Sequence, residues 1–529
     1  MQPIRLIITL LFISSLQVSA QMANQPKIDA AADFAATITV EDLRNHLSTL
    51  ASDAYEGRET GTPGQQKAAE YIANHFQRLG LPRIYDDSSF FQPIGFKAQS
   101  WTTNELIVGD SIVRHLWEYY AYPSSNPVQS ALEVDEAVFI GYGIQDEGYD
   151  DYRRADVAGK LVVFYDQEPV TREGLSQITG TADRSVWAGD WRRKVELAQA
   201  KGAAGVLIID RNFKENVAQA RKEILNTRLQ IDNNPGKADI DIPNAFINTN
   251  LAVRLFGKRL KKVLRRRDKM NKKGKSKPVD FDCTVQLRLA KDVRSLEGEN
   301  VLGFIEGSDA ARKDEVVIIT AHYDHLGTRG DAVYNGADDN GSGTSTVLEI
   351  AEAFAKAKEA GEGPRRSVLC MLVSGEEKGL LGSRYYSENP VFPLESTVAN
   401  VNVDMVGRVD EAHADDPNYI YVIGADRLSS ELHEINETAN QTYTQLELDY
   451  TYNEKDDPNR YYYRSDHYNF AKKGIPAIFY FNGTHEDYHR STDTVDKINF
   501  EKMEKIGQLV FHTAWELANR DKRIVVDQK

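Results

Sequence analysis

The sequence predicts an α/β fold: a mixed sheet flanked by helices, with a second α/β module inserted ahead of it. Three observations carry this expectation. From about residue 295 onward, short apolar runs alternate with longer helical patterns, as in sheets that are at least partly parallel. Between about 100 and 290 the texture differs, with short strand-like runs set among Gly, Pro and Asp turns. The length, 529 residues, exceeds what one hydrophobic core serves and suggests two or three domains.

Residues 1–20 read as a leader. Arg5 is the basic start, 6–16 is apolar, and Val18-Ser19-Ala20 fits a cleavage site, so the chain is expected to be exported and to begin near Gln21. No Cys follows the apolar run to carry a lipid, and no later stretch reaches the ~18 apolar residues of a membrane helix. The segment 21–99 opens the main domain. A helix over 42–51 places Leu43, Leu47 and Leu50 on one face. After the turn EGRETGTPG, Pro63 starts a second helix with Ala68, Ala69, Ile72, Phe76 and Leu79 aligned, and Gly80 stops it.

The inserted module, 100–290, carries the runs EAVFIGYGI, GKLVVFYDQ, AAGVLIID and IPNAFIN, with a helix over 191–200. Residues 258–277 hold 12 Lys or Arg and read as a solvated helix and loop, or as a contact for an acidic partner or anionic surface. The last segment, 291–529, predicts strands at 301–305, 316–320, 368–373, 401–405, 419–423 and 477–481. Helices are expected at 345–359, 427–441, 468–473 and 500–519.

Composition narrows the function. Hydrophobic residues make up 41% and charged residues 27%, the range of soluble globular proteins. With 64 Lys+Arg against 79 Asp+Glu the formal charge is −15, which argues against a nucleic-acid binder that needs a basic face. Two cysteines, Cys283 and Cys370, exclude a disulfide-rich scaffold and a thiolate zinc cluster, and both are expected as buried thiols.

Five segments concentrate chemistry: AHYDHLG (321–327), GADDNGSG (336–343), SGEEKGLLGS (374–383), NVDMVGR (402–408) and DYHRSTDT (487–494). Three follow or close predicted strands, where open α/β sheets place their sites. His322 and Asp324 follow one strand, Glu376 and Glu377 another, and Asp404 closes a third. Each alone has a bland alternative, such as a surface pair for His-x-Asp or a helix cap in GADDNGSG. Together, imidazoles and carboxylates without thiolate suit zinc, and also Mn or Co. Two adjacent glutamates allow one to bind metal while the other faces water whose pKa the metal lowers, which is a hydrolase arrangement. There is no G-x-S-x-G elbow, and Ser465-Asp466-His467 are merely adjacent rather than a triad.

These motifs resemble the M28 family of zinc exopeptidases, which includes leucine-type aminopeptidases and the glutamate carboxypeptidase II group. The GR-x-x-G turn of residues 38–80 is similar to that family's N-terminal helices. The run from GYGI through KGAAGVLIID resembles the protease-associated (PA) domain inserted in many members. The resemblance implies a zinc-exopeptidase sheet over 21–99 and 291–529, a PA-like domain over 100–290, and two zinc ions. It implies His322 and Asp404 on one zinc, Glu377 and His489 on the other, and Asp339 bridging, with Asp338 its competitor. It makes Glu376 the general base and Asp324 the carboxylate that orients His322, while His325 is adjacent or supporting. The family's oxyanion-stabilising tyrosine maps best to Tyr462, with Tyr461 and Tyr463 as rivals. A peptide is the implied substrate. An aminopeptidase is expected first. A glutamate carboxypeptidase II-type enzyme, with Arg408 and Arg464 clamping a carboxylate, and a one-zinc glutaminyl cyclase-like acyltransferase are the alternatives.

Overall fold

The computed structural model describes residues 30–225, 228–232, 240–275 and 277–528. The leader expected over 1–20 lies outside the described residues. Contacts divide the described chain into two units, one of residues 30–94 with 298–528 and the other of residues 95–297.

The first unit is built on strands that are continuous apolar runs. Val316–His322 reads VVIITAH and Ser367–Val373 reads SVLCMLV, and both are buried at every position, as in strands covered on two faces. The pairing runs Glu447–Asp449, Tyr419–Ile423, Ala477–Phe481, Thr397–Val403, Val316–His322, Ser367–Val373, then residues 301–305. Val316–His322 lies parallel to both of its neighbours, whereas 301–305 and Tyr419–Ile423 make antiparallel pairs, so the sheet is mixed. The strand expected over 401–405 is instead Thr397–Val403. The chain turns at the next residues, Met405 taking φ 58°, so Asp404 stands just past the strand rather than closing it.

Helix Phe500–Asn519 forms as expected, because the Asn499 side chain accepts from the Lys502 N–H and one apolar face runs the length of the helix. Phe511 on that face meets Phe354 of helix Gly343–Glu359, with ring centroids 4.8 Å apart. The helix expected over 427–441 is shortened to Ser430–Ala439, since Ser429 caps it by accepting from the Leu432 N–H. That expected over 468–473 spans His467–Ala471. Among the described residues no helix is long and apolar enough to cross a membrane.

Helices Val40–Leu50 and Pro63–Arg78 bring two imidazoles into this core. His46 Nε2 lies 3.1 Å from Glu349 Oε1 and its Nδ1 is 2.8 Å from the Tyr71 hydroxyl, while the His75 ring stands edge-on to His46 at 4.7 Å. Burial lowers His75 to about 4, with the neighbouring His46 adding to the effect. An unfolded imidazole titrates near 6.5, so between pH 6.5 and 4 the unfolded chain binds a proton that the native chain refuses. Stability is therefore expected to fall as pH drops through that window, by about 3 kcal/mol from this group. Urea midpoints measured at pH 6.5 and pH 4 should show the drop, and His75→Asn should lessen it, with the part due to His46, which burial also lowers to about 4, remaining.

The second unit has its own sheet. Strands Gln129–Gly141, Leu161–Tyr165, Gly205–Ile209 and Asn244–Ile247 pair in parallel in that order, with Tyr119–Tyr120 and residues 279–290 antiparallel at the two sides. The expected helix 191–200 is present as Trp191–Ala200, capped by the Asp190 side chain. In the basic stretch, helix Leu260–Lys273 buries Val263 and Met270 and turns Lys261, Lys262, Arg265 and Lys269 to solvent. Cys370 is buried, but Cys283 is half-exposed and not the buried thiol expected, because it sits on the long strand Val279–Ile305 where burial is incomplete. Neither forms a disulfide.

Candidate metal centre and its cleft

Parallel pairing sets the carboxyl ends of Val316–His322, Ser367–Val373 and Thr397–Val403 side by side. Each strand delivers acids or imidazole there: His322 at the last strand position, Glu376 and Glu377 after a short turn, Asp404 directly after the strand. Asp339 comes from the turn 337–342 that leads into helix Gly343–Glu359. Asn340 ties this turn to the strand end, its amide donating to the Val403 carbonyl at 2.9 Å and its Oδ1 accepting from the Gly343 and Met405 N–H groups. Asp493 accepts from the backbone N–H groups of both Asp338 and Asp339. His489 arrives on the loop after Ala477–Phe481 with φ 59°.

The side chains converge. His322 Nε2 is 3.3 Å from Asp404 Oδ1 and 3.4 Å from Asp339 Oδ1. His489 Nε2 is 3.1 Å from Asp339 Oδ2 and 3.3 Å from Glu377 Oε2. Two ligands each ~2.05 Å from a tetrahedral zinc stand about 3.3 Å apart, so these spacings are those of ligands around a shared cation. His322, Glu376 and Asp404 offer atoms within 4.8 Å of one another, as do His325, Asp339 and Glu377. His325 Nε2 is buried with no hydrogen-bond partner among the described residues. His322 Nδ1 donates to the Asp324 carbonyl at 3.0 Å, which leaves Nε2 as the lone-pair nitrogen facing the acids. The donor set therefore fits zinc, with Asp339 reaching both imidazoles. Asp338 does not enter the cluster, since its Oδ1 accepts from the Gly407 N–H and its Oδ2 lies 3.2 Å from His485.

The electrostatics agree. Burial alone would lower His489, yet hydrogen bonds to Asp339 and Glu377 carry it up to about 10. Burial pushes Glu376 well above the usual carboxylate range, against the pull of His322. An acid-rich, buried cage that draws protons onto its imidazoles is one that a cation would stabilise.

Several expectations are corrected. Asp324 does not orient His322 through its carboxylate, whose Oδ1 is 3.9 Å from Nδ1. That carboxylate is taken by the Glu376 N–H at 3.1 Å and the Thr60 hydroxyl at 2.7 Å, so it positions Glu376 instead. Tyr462 does not face the cleft; its ring lies under Arg427 and against His467. Tyr461 and Tyr488 line the cleft in its place. Tyr463 is exposed and packs on Tyr468. Arg408 is held by Asp487 at 3.0 Å and is not a lining residue, whereas Arg464 lines the cleft and donates to the Tyr488 hydroxyl at 3.4 Å. The cleft is small, about 40 Å³, and its other walls include Met405, Phe479 and Phe481.

Two residues at the site, Tyr488 and Arg58, are not singled out by the sequence, although the turn that carries Arg58 allowed an approach to the site. Tyr488 stacks on the His489 ring at 3.9 Å, and its only signal was adjacency to His489. The turn after Asp53 is more than helix punctuation. Arg58 is buried beneath the site, donating to the carbonyls of Leu50 (2.6 Å), Asn335 (2.7 Å), Tyr323 (2.8 Å) and Gly336 (3.0 Å). Gly57 lies so close to the same loops that a Cβ would stand 2.4 Å from the Tyr334 carbonyl oxygen.

Residues 300–514 match the model of peptidase family M28, and residues 133–255 match that of the PA domain. A probable leucine aminopeptidase of Arthroderma otae is 31% identical over 214 residues, covering 39% of this chain and 55% of that protein. A probable glutamate carboxypeptidase of Arabidopsis thaliana is 26% identical over 378 residues, covering 65% of this chain and 48% of that protein. The chain thus spans about half the length of these curated relatives. An aminopeptidase from Aneurinibacillus sp. strain AM-1, among solved structures, aligns over 94% of this chain and 98% of its own at 19% identity, with a TM-score of 0.49.

Proposed function

We propose that this chain, whose residues 300–514 match the model of peptidase family M28 and whose residues 133–255 match that of the PA domain, is a di-zinc exopeptidase that removes residues from the N-terminus of peptides. The observation that supports this best is Asp339 set between two imidazole–carboxylate groups, with Glu376 beside them. His322 and Asp404 would hold one zinc, Glu377 and His489 the other, and Asp339 both. When bound, zinc supplies Lewis acidity for the scissile carbonyl and for the attacking water.

The chain's own residues do the rest. Glu376 accepts the water's proton and hands it to the leaving amine, and Asp324 fixes it by accepting its backbone N–H. The phenol of Tyr488, held between the His489 ring and Arg464, is the donor we assign to the oxyanion. Phe479, Phe481, Met405 and Tyr461 give the cleft an apolar wall suited to an uncharged terminal side chain. The curated relatives named as aminopeptidases favour the N-terminal end. Arg464 in the lining favours the second reading, a carboxypeptidase that clamps a free carboxylate. Export rests on the composition of residues 1–20.

The test is mass spectrometry of one peptide offered to zinc-loaded protein in four forms: free at both ends, N-acetylated, C-amidated and doubly blocked. The expected result is cleavage only where the N-terminus is free, with two zinc per chain by elemental analysis. Cleavage that needs a free C-terminus moves the assignment to a carboxypeptidase. No cleavage with both zinc ions bound rejects the general exopeptidase, and no cleavage with one zinc per chain moves the assignment to the cyclase-like acyltransferase.

A further inference from the structure

A second crevice lies wholly within the 95–297 unit and takes no part in the reading above. Strands Leu161–Tyr165 and Gly205–Ile209 are parallel neighbours, and each is followed at once by an aspartate, Asp166 and Asp210. The carboxyl ends of parallel strands are where open α/β sheets bind ligands. A cavity of about 420 Å³ opens there, between the 166–191 segment and helix Phe213–Leu225.

Four aromatic rings stand in its walls, beside the polar Gln167, Asn216 and Gln219. Tyr120 and Phe246 stack in parallel at 4.7 Å, Trp191 stands perpendicular to Phe246 at 5.0 Å, and Tyr122 stacks on Trp191 at 5.7 Å. The two aspartates differ. Asp210 is fully engaged, accepting from the Tyr120 hydroxyl at 2.9 Å, from the Asn216 amide and from the Asn212 N–H. Asp166 lines the cavity at 9% exposure, and its Oδ1 has no hydrogen-bond partner among the described residues. The nearest ammonium, Lys194, donates to the backbone carbonyls of Asp166 and Gln167 at 2.7 and 2.6 Å rather than to that oxygen. Arg192 reaches the face of Trp191 only at 5.9 Å and donates to the Ser124 carbonyl. Burial, then the charge of Asp210, holds the Asp166 carboxyl above its usual range.

A buried carboxyl oxygen without a donor, in an aromatic hollow with acidic Glu223 also in its lining, matches one ligand chemistry. Anions are repelled. A hard metal ion would need several ligating oxygens, and of the carboxylate oxygens in this lining only Asp166 Oδ1 is buried without a partner among the described residues. A cation with an apolar body gains from the ring faces and from the carboxylate together. We propose that this crevice is a binding site for an aliphatic ammonium, either a small free amine or a lysine side chain of a polypeptide.

The test uses the full chain and ligand-observed saturation-transfer NMR with n-butylammonium, n-butanol and butyrate. The ammonium is expected to bind at millimolar concentration, about tenfold tighter than the alcohol, with butyrate silent. Asp166→Asn should remove most of that preference while peptide hydrolysis is unchanged. If that buried variant does not fold, Glu223→Gln in the same lining should weaken the ammonium and not the alcohol. An N-acetylated, C-amidated peptide with one central lysine separates the sources. Tighter binding than butylammonium assigns the site to lysine side chains, and weaker binding assigns it to free amines. Equal binding of alcohol and ammonium, no transfer to the ammonium, or a preference untouched by either variant would overturn the proposal.

Discussion

Glu376→Gln is expected to lower kcat for peptide hydrolysis by about 10²–10⁴-fold, the usual contribution of a positioned general base. The zinc content should stay at two per chain, and the two readouts together separate a base from a ligand. Glu376 belongs to the His322–Asp404 group and could in principle ligate. Its nearer oxygen, however, is 3.8 Å from His322 Nε2, beyond the ~3.3 Å edge of a zinc tetrahedron that Asp404 and Asp339 match. Glutamine keeps the shape and the backbone N–H that Asp324 accepts, and it removes only the proton acceptor. A variant that loses one equivalent of zinc would make Glu376 a ligand instead. One that keeps both metals and full activity would leave the reaction without this base. Thr60→Val is the companion change. It frees one oxygen of Asp324, and kcat should fall while KM stays put, because Thr60 reaches the reacting atoms only through Asp324 and the Glu376 backbone.

What could be read in advance has a physical pattern. His322, Glu376, Glu377 and Asp404 sit at strand ends, and a strand end is a local property of the chain, visible as an apolar run giving way to polar residues. Asp339 was expected only through the family resemblance, in which the bridging acid directly precedes the small-residue segment NGSG, and the sequence alone left Asp338 as its competitor. The failures involve partners remote in sequence. Arg408 read as a clamp for a substrate carboxylate or as a structural ion pair, and Asp487, the partner that makes it the latter, comes from 79 residues away. Asp324 read as the partner of its near neighbour His322, but Thr60, 264 residues earlier, and Glu376 claim its oxygens first. Tyr462 and Tyr461 are adjacent, and a short 3-10 turn over Tyr461–Tyr463 decides which ring enters the cleft. The unit boundaries near 95 and 297 carry no linker signal, since the strands Phe91–Val108 and Val279–Ile305 each run through one of them.

Arg58→Met should be among the most damaging single changes outside the proposed ligands. The guanidinium is 1% exposed, and burial lowers it to about 10, with Asp493 and Asp324 the largest charges acting the other way. Its four hydrogen bonds all go to backbone carbonyls, on Leu50, Tyr323, Asn335 and Gly336. Methionine fills much of the volume and leaves those acceptors unpaired in a site closed to water. At roughly 1–3 kcal/mol for each orphaned buried group, the cost should be about 4 kcal/mol or more even after partial relaxation. Two of those carbonyls flank proposed ligands, Tyr323 beside His322 and Gly336 three residues before Asp339, so loosening them should also weaken zinc binding. Arg58→Lys is the informative control. An ammonium has three donors and no planar fork, so at least one carbonyl stays unsatisfied, and stability should fall between wild type and Arg58→Met. Urea denaturation of all three proteins, each with and without zinc, reads both effects. A metal-free Arg58→Met that unfolds at the wild-type midpoint would show that the turn after Asp53 only punctuates its helices. A low midpoint shared by the metal-free and zinc-loaded forms would show that the guanidinium is what holds the loops carrying the ligands in register.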